Sequence, residues 1–210
     1  MFLKFLYLAS FLNIAECFNI AIVGASSGLG KELVYKGVTE KNLDILAFTS
    51  NTKINVPYRG DSFEEKGQTK EFVSDKVKIE NYWNDISKYS YENLIFCTGA
   101  KPFENDYSDK LTYKFLENLP DTCKTISLIS AYGVGDSLNG ANLGIVLMEK
   151  IYLKDVYRVK NLQENLVNNC KKIKKKFIYR PKALSYGETY LNSISRADLA
   201  DQILNDLQQC

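Results

Sequence analysis

The chain has 210 residues, 45% of them hydrophobic, which is enough for one substantial core and short for two domains. A net charge of +2 gives no field strong enough to select nucleic acid, and the absence of histidine excludes histidine triads, imidazole bases and histidine metal sites. The five cysteines, Cys17, Cys97, Cys123, Cys170 and Cys210, lack the paired spacing of a zinc site or a disulfide framework, so chemistry must use Ser, Tyr, Lys or a cofactor.

Residues 1–17 differ in character from the rest of the chain. Lys4 makes a positive start, residues 5–15 an apolar run, and Ala15-Glu16-Cys17 a small-x-small ending, the pattern of a cleavable targeting segment ahead of a domain spanning 18–210. The run is too short, and interrupted by Asn13, to span a membrane. It points to endomembrane or secretory entry, or, since the Ala-x-Cys-Phe junction resembles the pre-sequences of algae with complex plastids, to such an organelle. No Ser-rich transit stretch comes after that Phe. Unpaired thiols fit a reducing compartment, which keeps a cytoplasmic location as the alternative.

Residues 20–23 read as a buried parallel strand, followed by Gly24, Ala25, Ser26, Ser27, Gly28, Leu29 and Gly30 as a turn running into a helix whose inward face is Leu29, Leu33 and Val34. The glycines serve separate purposes, Gly24 permitting the turn, Gly28 the approach of backbone amides to a pyrophosphate, and Gly30 the close packing of helix on sheet. Further strands are expected at 44–48, 77–79, 93–98, 125–130 and 177–179, and 49–76 is a long polar stretch. Helical patterns cover 107–119, stopped by Pro120, then 146–167 and 196–207. The lysine run 171–176 reads as a solvated helix end at the negative pole of the dipole. Strands alternating with helices make a doubly wound α/β fold with a parallel sheet.

In such a sheet a ligand lies at the carboxyl ends of the strands, near the switch in strand order. That selects the glycine turn, the segment Thr49, Ser50, Asn51, Thr52 and Lys53, the segment Thr98, Gly99, Ala100 and Lys101, and the segment Ser130 to Gly133. No acidic residue follows the second strand, while Ser50 and Asn51 can donate hydrogen bonds and Lys53 adds a cation, so NADP(H) is favoured over NAD(H).

The spacing Val23-Gly-Ala-Ser-Ser-Gly-Leu-Gly30 resembles the fingerprint of the short-chain dehydrogenase/reductases. With residues 126–134, Lys160-Asn-Leu-Gln-Glu164, Phe177-Ile-Tyr-Arg-Pro181 and Ile194-Ser-Arg-Ala-Asp-Leu-Ala200, the chain is similar to the atypical members of that superfamily, the biliverdin reductase B-like and NmrA-like group. The resemblance covers nearly all of residues 18–207 and implies a single Rossmann domain. It implies a Ser130 that orients a substrate carbonyl and a Lys160 that contacts cofactor ribose, these two being the candidate catalytic residues, with a small-molecule substrate. Catalytic relatives pair Tyr with Lys four positions later; here Tyr157 and Lys160 are three apart and Tyr152 is followed by Val156. Two functions are compatible with this pattern: a reductase passing hydride from NADPH to a flavin, quinone or carbonyl, or a non-catalytic NADP(H) sensor or assembly factor with a protein partner. Tyr132, Tyr186 and Phe103 are candidates to line a substrate cleft, and Arg196 with Asp198 to anchor the last helix.

Overall fold

The computed structural model describes residues 16–57, 69–99, 107–135, 137, 153–185 and 193–209. Its centre is a six-stranded parallel sheet of β1 (Glu16–Val23), β2 (Ile45–Phe48), β5 (Val77–Glu80), β6 (Tyr89–Phe96), β7 (Thr125–Ile129) and β8 (Lys175–Tyr179), in the order β5-β2-β1-β6-β7-β8. These are the six strands that the apolar runs predict, and the strand order reverses between β1 and β6. Helices α1 (Gly28–Thr39), α2 (Ser108–Glu117), α3 (Lys154–Asn169) and α4 (Arg196–Gln208) connect and flank them. The residues 146–152 expected to begin the third helix lie outside the described residues.

The two-residue period of a strand divides the core between the faces of the sheet. On one face Ile20, Ile22, Ile45, Ala47 and Ile95 pack with Leu29, Leu33 and Val34 of α1 and Leu199, Ile203 and Leu204 of α4. On the other, Ala21, Val23, Leu46, Phe48, Leu94, Phe96 and Leu128 pack with Phe115 of α2 and Val167 of α3. Phe48 and Phe115 meet edge to face at 4.7 Å, and each such fully buried side chain contributes about 2 kcal/mol. The α1–α4 contact also holds the buried Lys36, whose Nζ donates to both oxygens of Asp201 at 2.7 and 2.6 Å.

Three features depart from expectation. The polar stretch 49–76 contains an antiparallel pair, β3 (Asn55–Pro57) and β4 (Thr69–Glu71), tied to α1 by buried Ile54 and Val56 and by Tyr35 against Phe72 at 5.6 Å. Two three-residue strands carry too few apolar positions to register as a period. The final helix is capped by Ser195, whose Oγ accepts from Asp198 N at 2.9 Å, a cap that the sequence reading did not name. The lysine run begins beyond the end of α3 and passes into β8; only Lys176 turns back to a last-turn carbonyl, that of Asn168. Leu184–Ser185 (β9) and Ile194–Ser195 (β10) form a further short parallel pair.

β1 starts at Glu16, before the boundary expected after Cys17: Glu16 and Cys17 pair with Tyr89 and Ser90, and the Glu16 carboxylate binds Lys78. Among the described residues no helix is long and apolar enough to cross a membrane.

Candidate functional site

The glycine turn leaves β1 at its carboxyl end. Gly24 has φ +92°, a conformation L side chains rarely adopt, and a Cβ there would lie 2.8 Å from the backbone of Cys97 and Thr98. The amides of Gly24 and Ala25 both donate to Phe48 O, stitching the turn to the end of β2. Ser27 caps α1, its Oγ accepting from Gly30 N at 3.0 Å. A Cβ on Gly30 would sit 2.2 Å from Gly24 O, so only glycine lets the helix lie this close to the turn. The amides of Gly28 and Leu29 belong to the first helical turn, where no intrahelical acceptor exists, and none of the described residues accepts from them. The first turn carries no acidic residue but does carry Lys31. Free amides, helix dipole and a nearby cation together make this an environment for an anion.

The end of β2 adjoins the turn. Thr49, 1% exposed, donates from Oγ1 to Ser26 Oγ at 2.6 Å and accepts from Asn51 N, which fixes the loop beside the glycines. Ser50 and Asn51 are exposed. Lys53 is not alone: its Nζ lies 2.8 Å from Glu71 Oε2, a carboxylate that the β3–β4 hairpin brings from 18 residues away. Both side chains are well exposed, and such a pair is worth about 0–1 kcal/mol, little enough for Lys53 to exchange Glu71 for a phosphate.

Across the switch point, the ends of β6 and β7 are joined by α3. Lys160, 5% exposed, donates from Nζ to Thr98 O at 2.7 Å and Ile129 O at 2.9 Å. Gln163, fully buried, donates from Nε2 to Thr112 Oγ1 at 2.8 Å, with longer contacts to Thr98 Oγ1 and Ser108 O. Cys97 beneath them is a buried thiol, pushed up to about 12 by burial against the opposing Lys160 charge, so it stays protonated and inert. Gly99 differs from Gly24 and Gly30: among the described residues a Cβ there would meet nothing within 4 Å. Ser130 donates its amide to Tyr179 O at 2.8 Å, while its Oγ is buried with no hydrogen-bond partner among the described residues. Tyr157 is buried and donates from Oη to Tyr132 O at 2.9 Å.

The fold thus gathers the glycine turn, Thr49 to Lys53, Thr98, Gly99, Ser130 and Lys160 at the carboxyl edge of one sheet. Ala100, Phe103, Tyr152 and Tyr186 lie outside the described residues. Sequence reasoning missed Gln163, Glu71 and the pairing of Glu164 with Arg180, whose Nε and Nη2 bind the two carboxylate oxygens at 2.9 and 2.7 Å. Glu164 and Arg180 each lie within a motif of the family resemblance, but nothing in a linear order joins them. Among the described residues no group of His, Cys, Asp or Glu is placed to hold a metal ion.

No protein-family model and no curated protein matches the chain. Solved structures do. ChuY, an anaerobilin reductase from Escherichia coli O157:H7, superposes with a TM-score of 0.59 at 14% identity, over 89% of this chain and 89% of that one. A protein of Streptococcus pneumoniae proposed as an NADH-flavin reductase gives 0.61 at 14% identity, over 91% and 93%. A Rossmann-fold NAD(P)-binding family protein from Shigella flexneri gives 0.54 at 12%, over 93% and 87%. The fold is that of the NAD(P)-binding Rossmann proteins. Buried β1, its glycine turn and the reversal of strand order at β6 are the elements of that fold which receive a dinucleotide.

Proposed function

We propose that the chain binds a nicotinamide dinucleotide, NADP(H) in preference to NAD(H), and reduces a small flavin, quinone or carbonyl acceptor. The observation that carries this reading is the turn at residues 24–30, where a helix begins with first-turn amides that no described residue accepts from and with no first-turn carboxylate. Gly24, Ala25, Ser26, Ser27, Gly28, Leu29 and Gly30 would cradle the diphosphate, and Thr98, Gly99 and Ala100 would border the nicotinamide half. Thr49, Ser50, Asn51 and Lys53 would face the adenosine ribose. A reduced nicotinamide, when bound, supplies a hydride. The Ser130 hydroxyl, which has no hydrogen-bond partner among the described residues, would hold the acceptor oxygen, the proton coming from water. Lys160 supports this edge by bonding two strand-end carbonyls. The reductases among the similar structures support the kind of activity and leave the acceptor to experiment.

A second reading, an NADP(H) sensor or assembly factor without turnover, is favoured by one observation. The Tyr157 hydroxyl and the Lys160 ammonium are both committed to backbone carbonyls, so no phenol–ammonium couple is assembled for proton transfer. Fluorescence titration of the purified chain with NADPH and NADH, followed by absorbance of the reduced nicotinamide over a panel of flavins, quinones and aldehydes, separates the readings. Oxidation of NADPH supports the reductase, tight binding without oxidation supports the sensor, and failure to bind either nucleotide at millimolar concentration rejects both.

A further inference from the structure

Tyr157, Lys160, Asn161 and Glu164 stand at i, i+3, i+4 and i+7 on α3, a single helix face. Every one of them is spent on the strand ends. Tyr157 Oη donates to Tyr132 O, Lys160 Nζ to Thr98 O and Ile129 O, Asn161 Oδ1 accepts from Gly135 N at 3.1 Å, and Glu164 takes the Arg180 fork. Two of these bonds fall within the segment 130–135, at Tyr132 O and Gly135 N, and Lys160 holds Ile129, the residue just before it. The segment is also tied to the exit of β8, through Ser130 N to Tyr179 O and Tyr132 N to Pro181 O. At its far end Gly135 adopts φ +56°, and a Cβ there would lie 2.7 Å from Glu164 Oε2 and 3.1 Å from Arg180 Nη2, so the backbone rests directly on the ion pair.

We infer that this face of α3, with Arg180, is a clamp that sets the 130–135 loop as the acceptor-binding element, with Tyr157 and Glu164 as positioning residues. The inference rests on the dinucleotide reading above and deepens it. The one phenolic proton of Tyr157 already bonds Tyr132 O, so the tyrosine shapes the loop and does not deliver a proton. The loop follows β7, on the opposite side of the β1–β6 switch from β2 and the Thr49 to Lys53 segment. Loosening it therefore disturbs the acceptor and leaves the nucleotide in place. Glu164 is a buried carboxylate whose fork to Arg180 sets both distance and angle, so a lysine in place of Arg180 cannot replace it.

The test uses the full chain with Tyr157→Phe, Glu164→Gln and Arg180→Lys. Acceptor KM rises about fivefold or more, exceeding any fall in kcat, while the NADPH dissociation constant stays within about twofold and the kcat pH profile of Tyr157→Phe keeps its shape. In Glu164→Gln and Arg180→Lys the backbone at Gly135 loses the ion pair it rests on and its amide separates from Asn161 Oδ1, so its exchange quickens about tenfold, the effect of roughly one weakened hydrogen bond. A hundredfold loss of kcat in Tyr157→Phe with disappearance of one limb of its pH profile makes Tyr157 a proton donor and overturns the inference. Unchanged exchange at Gly135 overturns the clamp. Should no acceptor be reduced by the unaltered chain, the reductase reading and the loop's acceptor role both fall, and Gly135 exchange alone judges the clamp. If Tyr157→Phe does not fold, the two ion-pair variants decide the matter.

Discussion

Three glycines at the carboxyl edge look alike in sequence and answer to different forces. Gly24 is required by its positive φ and by the backbone of Cys97, and Gly30 by the Gly24 carbonyl, so both are demanded by folding whether or not a ligand binds. At Gly99 none of the described residues lies within 4 Å of where a Cβ would be, and packing among them does not explain it. Gly99→Val is therefore expected to leave the thermal midpoint within a degree or two while weakening NADPH binding about tenfold or more, as a side chain enters space the cofactor needs. Equal affinity in the variant and the parent, measured by fluorescence titration, removes Gly99 from the site. The glycine spacing was legible in the sequence; which of the glycines is crowded by the described residues was not.

At the scale of elements, the α1–α4 contact is the clearest case of a partner hidden by distance in sequence. Lys36 lies on the buried face of a helix and is tolerable there mainly because Asp201, 165 residues later, binds it with both oxygens, Glu40 at 3.5 Å being the weaker second partner. Asp201→Ala leaves that ammonium poorly paired and is expected to cost about 1–2 kcal/mol in urea unfolding, less than for a fully buried pair because Asp201 remains partly exposed. Lys36→Met in the same background should recover most of that loss; no recovery means the ion pair is not the cause. The β3–β4 hairpin is a second case. Its strands are too short to show periodicity, yet they carry Glu71 to Lys53 and so change the charge at the end of β2.

For the whole molecule, buried thiols set the alkaline limit of stability. Cys97 and Cys123 are each pushed up to about 12 by burial, from 9.0 for a free thiol. Between those values the unfolded chain loses protons that the folded chain retains, so stability is full below about pH 9 and falls as pH rises toward 12. Buried Tyr91 and Tyr89, both raised mainly by burial, act with the same sign above about pH 10. Urea midpoints at pH 7, 9 and 10.5 should show a plateau and then a drop, and Cys97→Ala with Cys123→Ala should reduce that drop. A midpoint that climbs above pH 9 would contradict the assignment of these thiols to the interior.

The sequence by itself determined the sheet. Apolar runs at β1, β2, β5, β6, β7 and β8, separated by helical periods, are local patterns, and once the connections are right-handed they leave few orders other than the one observed. The glycine turn was local in part: Gly30 is required by the nearby Gly24 carbonyl, whereas the space beside Gly24 is taken by Cys97 and Thr98 from the end of β6. What only the tertiary structure decided is how the polar groups are spent: Lys160 on two strand-end carbonyls, Tyr157 on Tyr132 O, Glu164 on Arg180, Lys53 on Glu71. Hydrophobic burial is set by a residue's own periodicity, whereas a buried donor or charge takes whichever partner the packed elements bring within about 3 Å, and that distance exists only after the chain has folded.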